Sequence, residues 1–283
     1  MRHRLASIRT EKEPPQVRST SESGVGTRPD GIQDEREAAA HVREMFGRIA
    51  PRYDLLNHLL SLDIDKLWRR RVARHFRTIL RNPGARVLDL CCGTGDLALA
   101  FRREGPGGAE IVGTDFVPEM IARAQSKATA AGANITFAEA DALALPFGNE
   151  SFDLVSCSFG FRNLANYERG LFEILRVLKS GGVVAILEFA EPPGKAFGGL
   201  YRFYFRRVLP RLGGLISGNA SAYTYLPSSV SKFPSPEALQ TLFERAGYSD
   251  VRFERWTGGI VTLHCANKSE AQVGRASQAV EKL

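Results

Sequence analysis

Short apolar runs alternate with amphipathic segments from residue 86 onward, and this alternation predicts the fold. Strands are predicted at 87–90, 110–115, 135–138, 151–158 and 183–189, with a final pair near 251–256 and 260–266. Helical periodicity predicts helices at 119–131, 168–178 and 236–246. The linker 257–259 is too short for a parallel crossover, so the last two strands must be antiparallel. We therefore expect an α/β fold with a doubly wound, mostly parallel seven-stranded sheet and an antiparallel C-terminal hairpin.

The two ends of the chain differ from the rest in composition. Residues 1–33 are rich in Ser, Pro, Gly, Arg and Glu and offer almost nothing to bury, so a disordered arm is expected there. A disordered tail is expected at 269–283. One folded domain over 34–268 remains, with an insertion at 191–235.

Helices are predicted ahead of the first strand, over residues 34–80. The first begins near Asp34 and ends at Pro51, and its apolar stripe carries Ala38, Val42, Met45, Phe46 and Ile49. Large side chains crowd the segment 53–68, which predicts further packing helices. An amphipathic helix is expected at 68–80, with Arg69, Arg70, Arg71, Arg74 and Arg77 on its outer face.

Composition narrows the classes of protein only modestly. The 283 residues are 43% hydrophobic and carry a net charge of +7, and the arginines are dispersed, so nucleic-acid binding is not demanded. No apolar run reaches membrane-spanning length and no signal-peptide core is present, so a cytoplasmic location is expected. The four cysteines, at 91, 92, 157 and 265, have no zinc-site spacing and are expected to be free buried thiols.

The chemistry is concentrated where the first strand ends. Asp89 closes the strand, Gly93 and Gly95 form a tight turn, and a helix follows at once. This strand–turn–helix arrangement brings backbone N–H groups and a helix N-terminus against a ligand. Asp89 is positioned to accept hydrogen bonds from a cationic amine.

Two further acids follow at the ends of the next two strands, Asp115 and Asp141. An acid at the second of these strand ends binds the ribose hydroxyls of a nucleoside in doubly wound folds. A nucleoside with a cationic end and no pyrophosphate fits this set, and S-adenosylmethionine is such a ligand. A dinucleotide is the rival, but the third glycine of its Gly-x-Gly-x-x-Gly fingerprint is absent.

These residues together resemble the class I S-adenosylmethionine methyltransferases, which have a Rossmann-like fold, and among them the quinone C-methyltransferase family. The resemblance covers about 42–268 and rests on Tyr53-Asp54-x-x-Asn57, Cys92-Gly-Thr-Gly-Asp96, Ser158-Phe-Gly-Phe-Arg162-Asn163, Leu187-Glu188-Phe189, Tyr223-x-Tyr225-Leu226 and Gly258-Gly-Ile-Val-x-Leu-His264. Asp65, Ser180 and Ala190 depart from the family pattern, which usually has His, Pro and Ser at these positions.

The resemblance implies a function and a set of cofactor contacts. The family methylates demethylmenaquinol to menaquinol or, in some organisms, a 2-methoxy-6-polyprenyl-1,4-benzoquinol in ubiquinone synthesis. Thr94, Asp115, Asp141, Ala142 and Ser158 match its cofactor-contacting positions. No metal is implied. Two alternatives stay open, a methyltransferase of another small lipid or phenol and a non-catalytic nucleoside-binding subunit.

Catalysis requires a quinol ring carbon to become nucleophilic, which follows when the adjacent hydroxyl is ionised or polarised. Arg162 and Asn163 are candidates to stabilise that oxygen, because an arginine stays protonated and acts electrostatically. The base could be Asp54, His58, Tyr223 or a water held by these groups, and we favour the water. A structural salt bridge is the alternative role for Arg162, and His264 is expected to be packed.

A polyprenyl quinol needs an apolar path. Residues 195–216, inside the 191–235 insertion, interleave aromatic side chains with arginines, which favours a substrate lid and peripheral contact with membrane lipid on the inner face of the cell membrane. An ordinary lid helix is the alternative. A homodimer or a quinone-biosynthesis complex also stays open.

Overall fold

The computed structural model describes residues 26–29, 31–54, 61, 63–194, 198–199, 207 and 220–269, and the side chains of Arg52 and of 220–224 lie outside this part. The helices are α1 (Glu35–Ile49), α2 (Ile64–His75), α3 (Arg77–Leu80), α4 (Asp96–Glu104), α5 (Pro118–Ala130), α6 (Tyr167–Val177), α7 (Ala220–Lys232) and α8 (Pro236–Ala246). The strands are β1 (Arg86–Leu90), β2 (Glu110–Asp115), β3 (Thr136–Glu139), β4 (Phe152–Ser158), β5 (Leu178–Phe189), β6 (Ser249–Trp256) and β7 (Val261–Asn267). Short 3₁₀ helices lie at Ala50–Arg52, Phe161–Asn163 and Thr257–Gly259.

The strands form one seven-stranded sheet in the order β3-β2-β1-β4-β5-β7-β6. The pairs among β1 to β5 are parallel, and β7 is antiparallel to both β5 and β6. The predicted fold class is therefore confirmed. Strands β2 and β3 extend the sheet to one side of β1, whereas β4 and β5 extend it to the other, so the order in which strands are added reverses between β1 and β4. Ligands of doubly wound folds bind outside the carboxyl ends of the strands at such a point.

Apolar layers cover both faces of the sheet, because successive side chains of a strand point to opposite faces. Val87 of β1 packs in the layer that contains Val72 of α2 and Phe101 of α4. Leu88, the next residue, packs in the other layer with Phe243 of α8. The sheet is thus held between helices, and a ligand can approach it at its strand ends.

The N-terminal helix follows its predicted pattern. Asp34 caps α1, since its Oδ1 accepts hydrogen bonds from the amides of Arg36 and Glu37, both at 2.9 Å. Ala38, Val42 and Met45 are buried, as the apolar stripe predicts.

The basic helix expected at 68–80 differs from the prediction in two ways. It begins earlier, at Ile64, and it breaks at Phe76, whose ring is buried in the core. Arg69 is also buried, although it was expected on the outer face with Arg70 and Arg71. The reason is its partner Asp65, which lies one turn earlier on the same helix.

The segment 179–182 was expected to separate α6 from the fifth strand. Instead β5 begins at Leu178 and runs through it. Gly181, at φ +73°, donates a backbone hydrogen bond to Lys268 O at 2.9 Å, and the pairing with β4 shifts register between Phe152 and Leu154. The irregular residues form a bulge, so the strand continues past Gly181 and Gly182, although such a pair of glycines usually ends a strand.

The arm expected at 1–33 is described only from residue 26. Thr27 is buried and its amide donates to Leu164 O at 2.8 Å, while Arg28 donates to Ala165 O. A side-chain carbon on Gly26 would lie 2.0 Å from Ala165 O, so the backbone passes too close for any other residue. Residues 26–29 therefore pack on the 3₁₀ helix Phe161–Asn163 and the turn after it.

Some predicted features lie outside the described residues: residues 1–25, Asn57, His58, most of 195–216 and the tail 270–283. Among the described helices, none combines the length and the apolar character needed to cross a membrane.

Candidate active site

The turn after β1 adopts the tight geometry that its glycines predict. Cys91, Gly93 and Gly95 have φ values of +52°, +53° and +83°, and Gly95 directly precedes α4. A side-chain carbon on Gly95 would lie 3.0 Å from the Phe137 ring. The turn can therefore pack against the sheet and present its backbone to a ligand only with glycine at this position.

Asp89 lies beneath this turn. Its Oδ2 accepts the amide hydrogen of Ala98 at 3.1 Å and its Oδ1 accepts from Ser156 Oγ at 3.2 Å. Burial, at 1% exposure, raises the pKa of the Asp89 carboxyl to about 7, against the opposing effect of these hydrogen bonds. The side chain thus braces the start of α4 and borders the pocket described below.

Asp115 connects the turn to β2. It accepts hydrogen bonds from the amides of Gly93, at 2.9 Å, and Val117, at 3.0 Å. Burial raises the pKa of its carboxyl to about 6, although these amides oppose the shift. The acid predicted for the ribose therefore also fixes the position of the glycine turn.

Asp141 and Ala142 follow β3, which lies beyond β2 and Asp115 when viewed from the glycine turn after β1. The amide of Ala140 donates to Asp115 O at 3.0 Å, which ties the ends of β2 and β3 together. Asp141 is exposed and accepts from the amide of Leu143 at 2.8 Å, whereas Ala142 is buried. Neither residue lines the pocket described below.

A pocket lies over the turn, and the empty space in and above it, which includes open solvent, amounts to about 310 Å³. Its lining comprises Tyr53, Arg69, Asp89, Cys91, Cys92, Gly93, Thr94, Asp96, Leu97 and Ser158. Four predicted cofactor residues are among them: Asp89, Gly93, Thr94 and Ser158. Within the described part of the chain, the buried Ser158 Oγ makes no hydrogen bond. A buried hydroxyl without a partner is costly in a folded protein, and because Ser158 lines the pocket its hydroxyl is available to a ligand there.

Asp54, a candidate base, is held against the turn by a cation. Thr94 Oγ1 donates to Asp54 Oδ1, and Lys127 Nζ lies 2.8 Å from Asp54 Oδ2. Lys127, on α5, also contacts Thr94 Oγ1 at 3.1 Å and pairs with Asp96. Lys127 therefore joins the N-terminal segment to the glycine turn, a function that no local sequence pattern indicates.

Arg162 forms a buried ion pair with Glu188, the acid of the Leu187-Glu188-Phe189 motif. Its Nη1 lies 2.8 Å from Glu188 Oε1 and also donates to Phe159 O, and its Nε donates to Ser229 Oγ at 3.3 Å. The two side chains are 6% and 0% exposed. The guanidinium is thus bound by protein partners, which agrees with the structural salt bridge considered as the alternative role for Arg162. A contact between Arg162 and the substrate stays a prediction.

Asn163 lies in an aromatic setting. Tyr225 OH donates to Asn163 Oδ1 at 3.0 Å and lies 3.4 Å from Thr27 Oγ1. The ring of Phe46 packs edge-on against both Tyr53 and Tyr225, with centroids 6.1 and 6.5 Å apart. Since Tyr53 also lines the pocket, these rings extend from the glycine turn toward Asn163. Tyr223 lies on α7, with its side chain outside the described part.

The remaining titratable candidates are packed. His264 Nε2 lies 3.0 Å from Pro236 O, and burial lowers the pKa of this histidine to about 4, in agreement with a packed residue. The four cysteines are free, and Cys91 and Cys92 are only half buried. A contact with Cys157 and burial raise the pKa of the Cys91 thiol, so it stays protonated and is a poor nucleophile. Within the described residues, no three His, Cys, Asp or Glu side chains are placed to hold a metal ion.

The chain is similar to known methyltransferases over most of its length. A model of the ubiE/COQ5 methyltransferase family matches residues 32–268. The chain is 54% identical over 224 residues to a demethylmenaquinone methyltransferase of Thermus thermophilus, covering 79% of this chain and 100% of the relative. It is 46% identical over 234 residues to a ubiquinone/menaquinone biosynthesis C-methyltransferase of a Geobacter species, covering 82% of this chain and 98% of the relative.

Solved structures agree on the fold. A SAM-dependent methyltransferase of Thermotoga maritima, described as a possible histamine N-methyltransferase, matches with a TM-score of 0.57 at 18% identity. The match covers 81% of this chain and 100% of that one. At this identity the likeness concerns the arrangement of strands and helices and not the substrate.

Proposed function

This chain belongs to the ubiE/COQ5 methyltransferase family, and from that premise we propose that it methylates a ring carbon of demethylmenaquinol, with S-adenosylmethionine as the methyl donor. The observation that carries the proposal is the extent of the family match, because residues 32–268 include every described residue that lines the pocket. The relative from Thermus thermophilus bears the name of this activity.

The pocket suits a sulfonium nucleoside, which supplies an electrophilic methyl group when bound. We assign Asp115 to the ribose hydroxyls, because each of its oxygens accepts one backbone amide and a carboxylate oxygen can accept a second hydrogen bond. Ser158 Oγ would gain the partner that it lacks among the described residues. Asp89 places a carboxyl beside the pocket, where a cationic amino group favours its ionised form. We assign Asp141 and Ala142, which follow the neighbouring strand β3, to the base of the nucleoside.

The reaction needs the phenolic proton to be removed or polarised, so that the adjacent ring carbon can attack the methyl group in line while the bond between that methyl and sulfur breaks. The hydrogen on the attacked carbon must then leave as a proton and the oxygen must regain one, which restores the aromatic quinol. We assign Arg162, whose charge is balanced by Glu188, the role of a guanidinium donor to the phenolate oxygen, and Asn163 with Tyr225 a hydrogen bond near that oxygen. Because Asp54 is already paired with Lys127, a water is better suited than Asp54 to accept the proton. This assignment keeps Asp54 as a residue that positions Thr94.

Peripheral membrane contact is the second part of the proposal. Leu67 is 59% exposed on α2, and Arg70 and Arg74 follow on the same exposed face at spacings of three and seven residues. A bulky apolar side chain among cations suits a surface of anionic lipid, where each basic residue adds about 1 kcal/mol. Flotation with anionic liposomes tests this, and protein that stays wholly in solution contradicts it. Assembly as a homodimer or in a quinone-biosynthesis complex is tested by light scattering in solution.

The quinone profile of cells that lack this gene tests the function. We expect demethylmenaquinone to accumulate and the normal profile to return when the gene is restored, as measured by mass spectrometry. The name of the Geobacter relative includes ubiquinone, so accumulation of a demethylated benzoquinone precursor would identify that second substrate. An unchanged profile would contradict both.

A further inference from the structure

Arg69 lines the pocket together with Asp89 and Ser158. It is 8% exposed, which is unusual for an arginine on a helix with exposed basic neighbours. A buried arginine that lines a pocket must have its charge compensated there, whereas an exposed arginine is compensated by water.

The orientation of this guanidinium is fixed on two sides. Nη1 pairs with Asp65 Oδ2 and lies 4.0 Å from Asp96 Oδ2, while the guanidinium carbon lies 5.4 Å from the centre of the Phe159 ring. The Asp65 side chain is itself only 5% exposed, so this ion pair is buried.

Part of the guanidinium is left for a ligand. Both ion-pair contacts use Nη1, and among the described residues Nε and Nη2 of Arg69 make no hydrogen bond or ion pair. A guanidinium has five N–H donors in a planar fork, which matches the two oxygens of a carboxylate. An arginine held in this way is prepared to bind a carboxylate through its second edge.

We propose that Arg69 binds the α-carboxylate of the amino-acid end of the methyl donor and that Asp65 positions it. This inference rests on the proposed function, because it concerns the bound S-adenosylmethionine. Asp89 borders the same pocket and is the acid suited to the α-ammonium group of that end. A zwitterion placed between Arg69 and Asp89 leaves neither of its charges without a partner, which a buried site requires.

A pair of ligands tests the proposal by binding alone. Titration calorimetry compares S-adenosylhomocysteine with its decarboxylated analogue, which lacks only the α-carboxylate. We expect the intact protein to bind the first at least about 30-fold more tightly, since truncating one partner of a buried charge pair costs at least that much. Arg69→Met should lose this discrimination by weakening the first ligand about 30-fold and the second less than about threefold. Asp65→Asn should weaken the first ligand only.

Arg71→Met is the matched control, because it removes the same charge from an exposed position on the same helix and should change neither affinity. Equal weakening of both ligands by Arg69→Met, or no weakening, would overturn the inference, since a structural arginine cannot distinguish them. If Arg69→Met does not fold, Arg69→Lys decides in the same way, because it keeps the charge but loses the fork. An intact protein that binds both ligands equally contradicts only this inference, whereas one that binds neither contradicts the proposed function.

Discussion

Removing the charge of Glu188 should strongly destabilise the protein, because it leaves the buried guanidinium of Arg162 without a counter-ion. Glu188 accepts three hydrogen bonds: from Arg162 Nη1 at 2.8 Å, from the Arg162 amide at 3.1 Å and from the Phe189 amide at 2.9 Å. In Glu188→Gln one of the two oxygens becomes an NH₂ group that faces a donor. Breaking a buried ion pair from one side costs about 3–5 kcal/mol of the free energy of unfolding, and we expect a loss in this range.

Urea unfolding followed by circular dichroism at neutral pH measures this loss. Glu44→Gln is the control, because Glu44 pairs with Arg48 at the exposed surface of α1 and its loss should cost less than about 1 kcal/mol. A loss below about 1 kcal/mol for Glu188→Gln would refute the reasoning, since Arg162 would then not depend on its partner.

The same pair separates a structural from a catalytic Arg162. Replacing both residues, as in Arg162→Met with Glu188→Leu, removes both charges at once and should be less destabilising than Glu188→Gln. If Arg162 stabilises the phenolate, kcat of the folded double variant should fall about 100-fold or more. An unchanged kcat would restrict Arg162 to the structural role.

Three further predictions concern the cofactor pocket. The affinity for S-adenosylhomocysteine should fall about tenfold from pH 8 to pH 6, because the Asp89 carboxyl, with a pKa of about 7, loses most of its ionised form over that interval. The Asp115 carboxyl, with a pKa of about 6, adds a further decrease of up to about twofold. If calorimetry finds the affinity of Asp89→Asn equally dependent on pH, the prediction is contradicted. Lys127→Met should lower the affinity for the same ligand about tenfold or more, because it releases the N-terminal segment from the glycine turn. Arg123→Met, on the exposed side of the same helix, should leave the affinity unchanged. Equal affinities of the two variants in calorimetry would contradict this prediction. Gly160→Ala should lower the thermal midpoint by several degrees, because its new carbon would lie 2.4 Å from a carbon of Cys91, and an unchanged midpoint in a melting scan would contradict the close approach.

The fold and the glycine turn were predictable because both depend on local patterns. Strand and helix periodicity gave the sheet, and Asp89, Gly93 and Asp115 stand at strand ends that topology brings to one edge. The burial of Arg69 was missed because the run of arginines suggested a solvated face. The spacing of four residues from Asp65 was the available signal, since such residues meet on one side of a helix.

Other parts of the site depend on contacts between distant segments, which no local pattern encodes. Tyr225 approaches Asn163 from 62 residues away, and Thr27 approaches Tyr225 from 198 residues away. The pairing of Lys127 with Asp54 joins residues 73 positions apart. Such contacts arise from the packing of whole elements, so the chemistry of single residues indicated Asp54 and Asn163 but not their partners.

The most direct measurement is methyl transfer by the purified protein from isotopically labelled S-adenosylmethionine to demethylmenaquinol in detergent, with the product identified by mass spectrometry and NMR. The account predicts one labelled methyl group on the vacant ring carbon, giving menaquinol, and no label on oxygen. Label on a quinol oxygen, or no transfer by a protein that binds NADH and not S-adenosylhomocysteine, would contradict it.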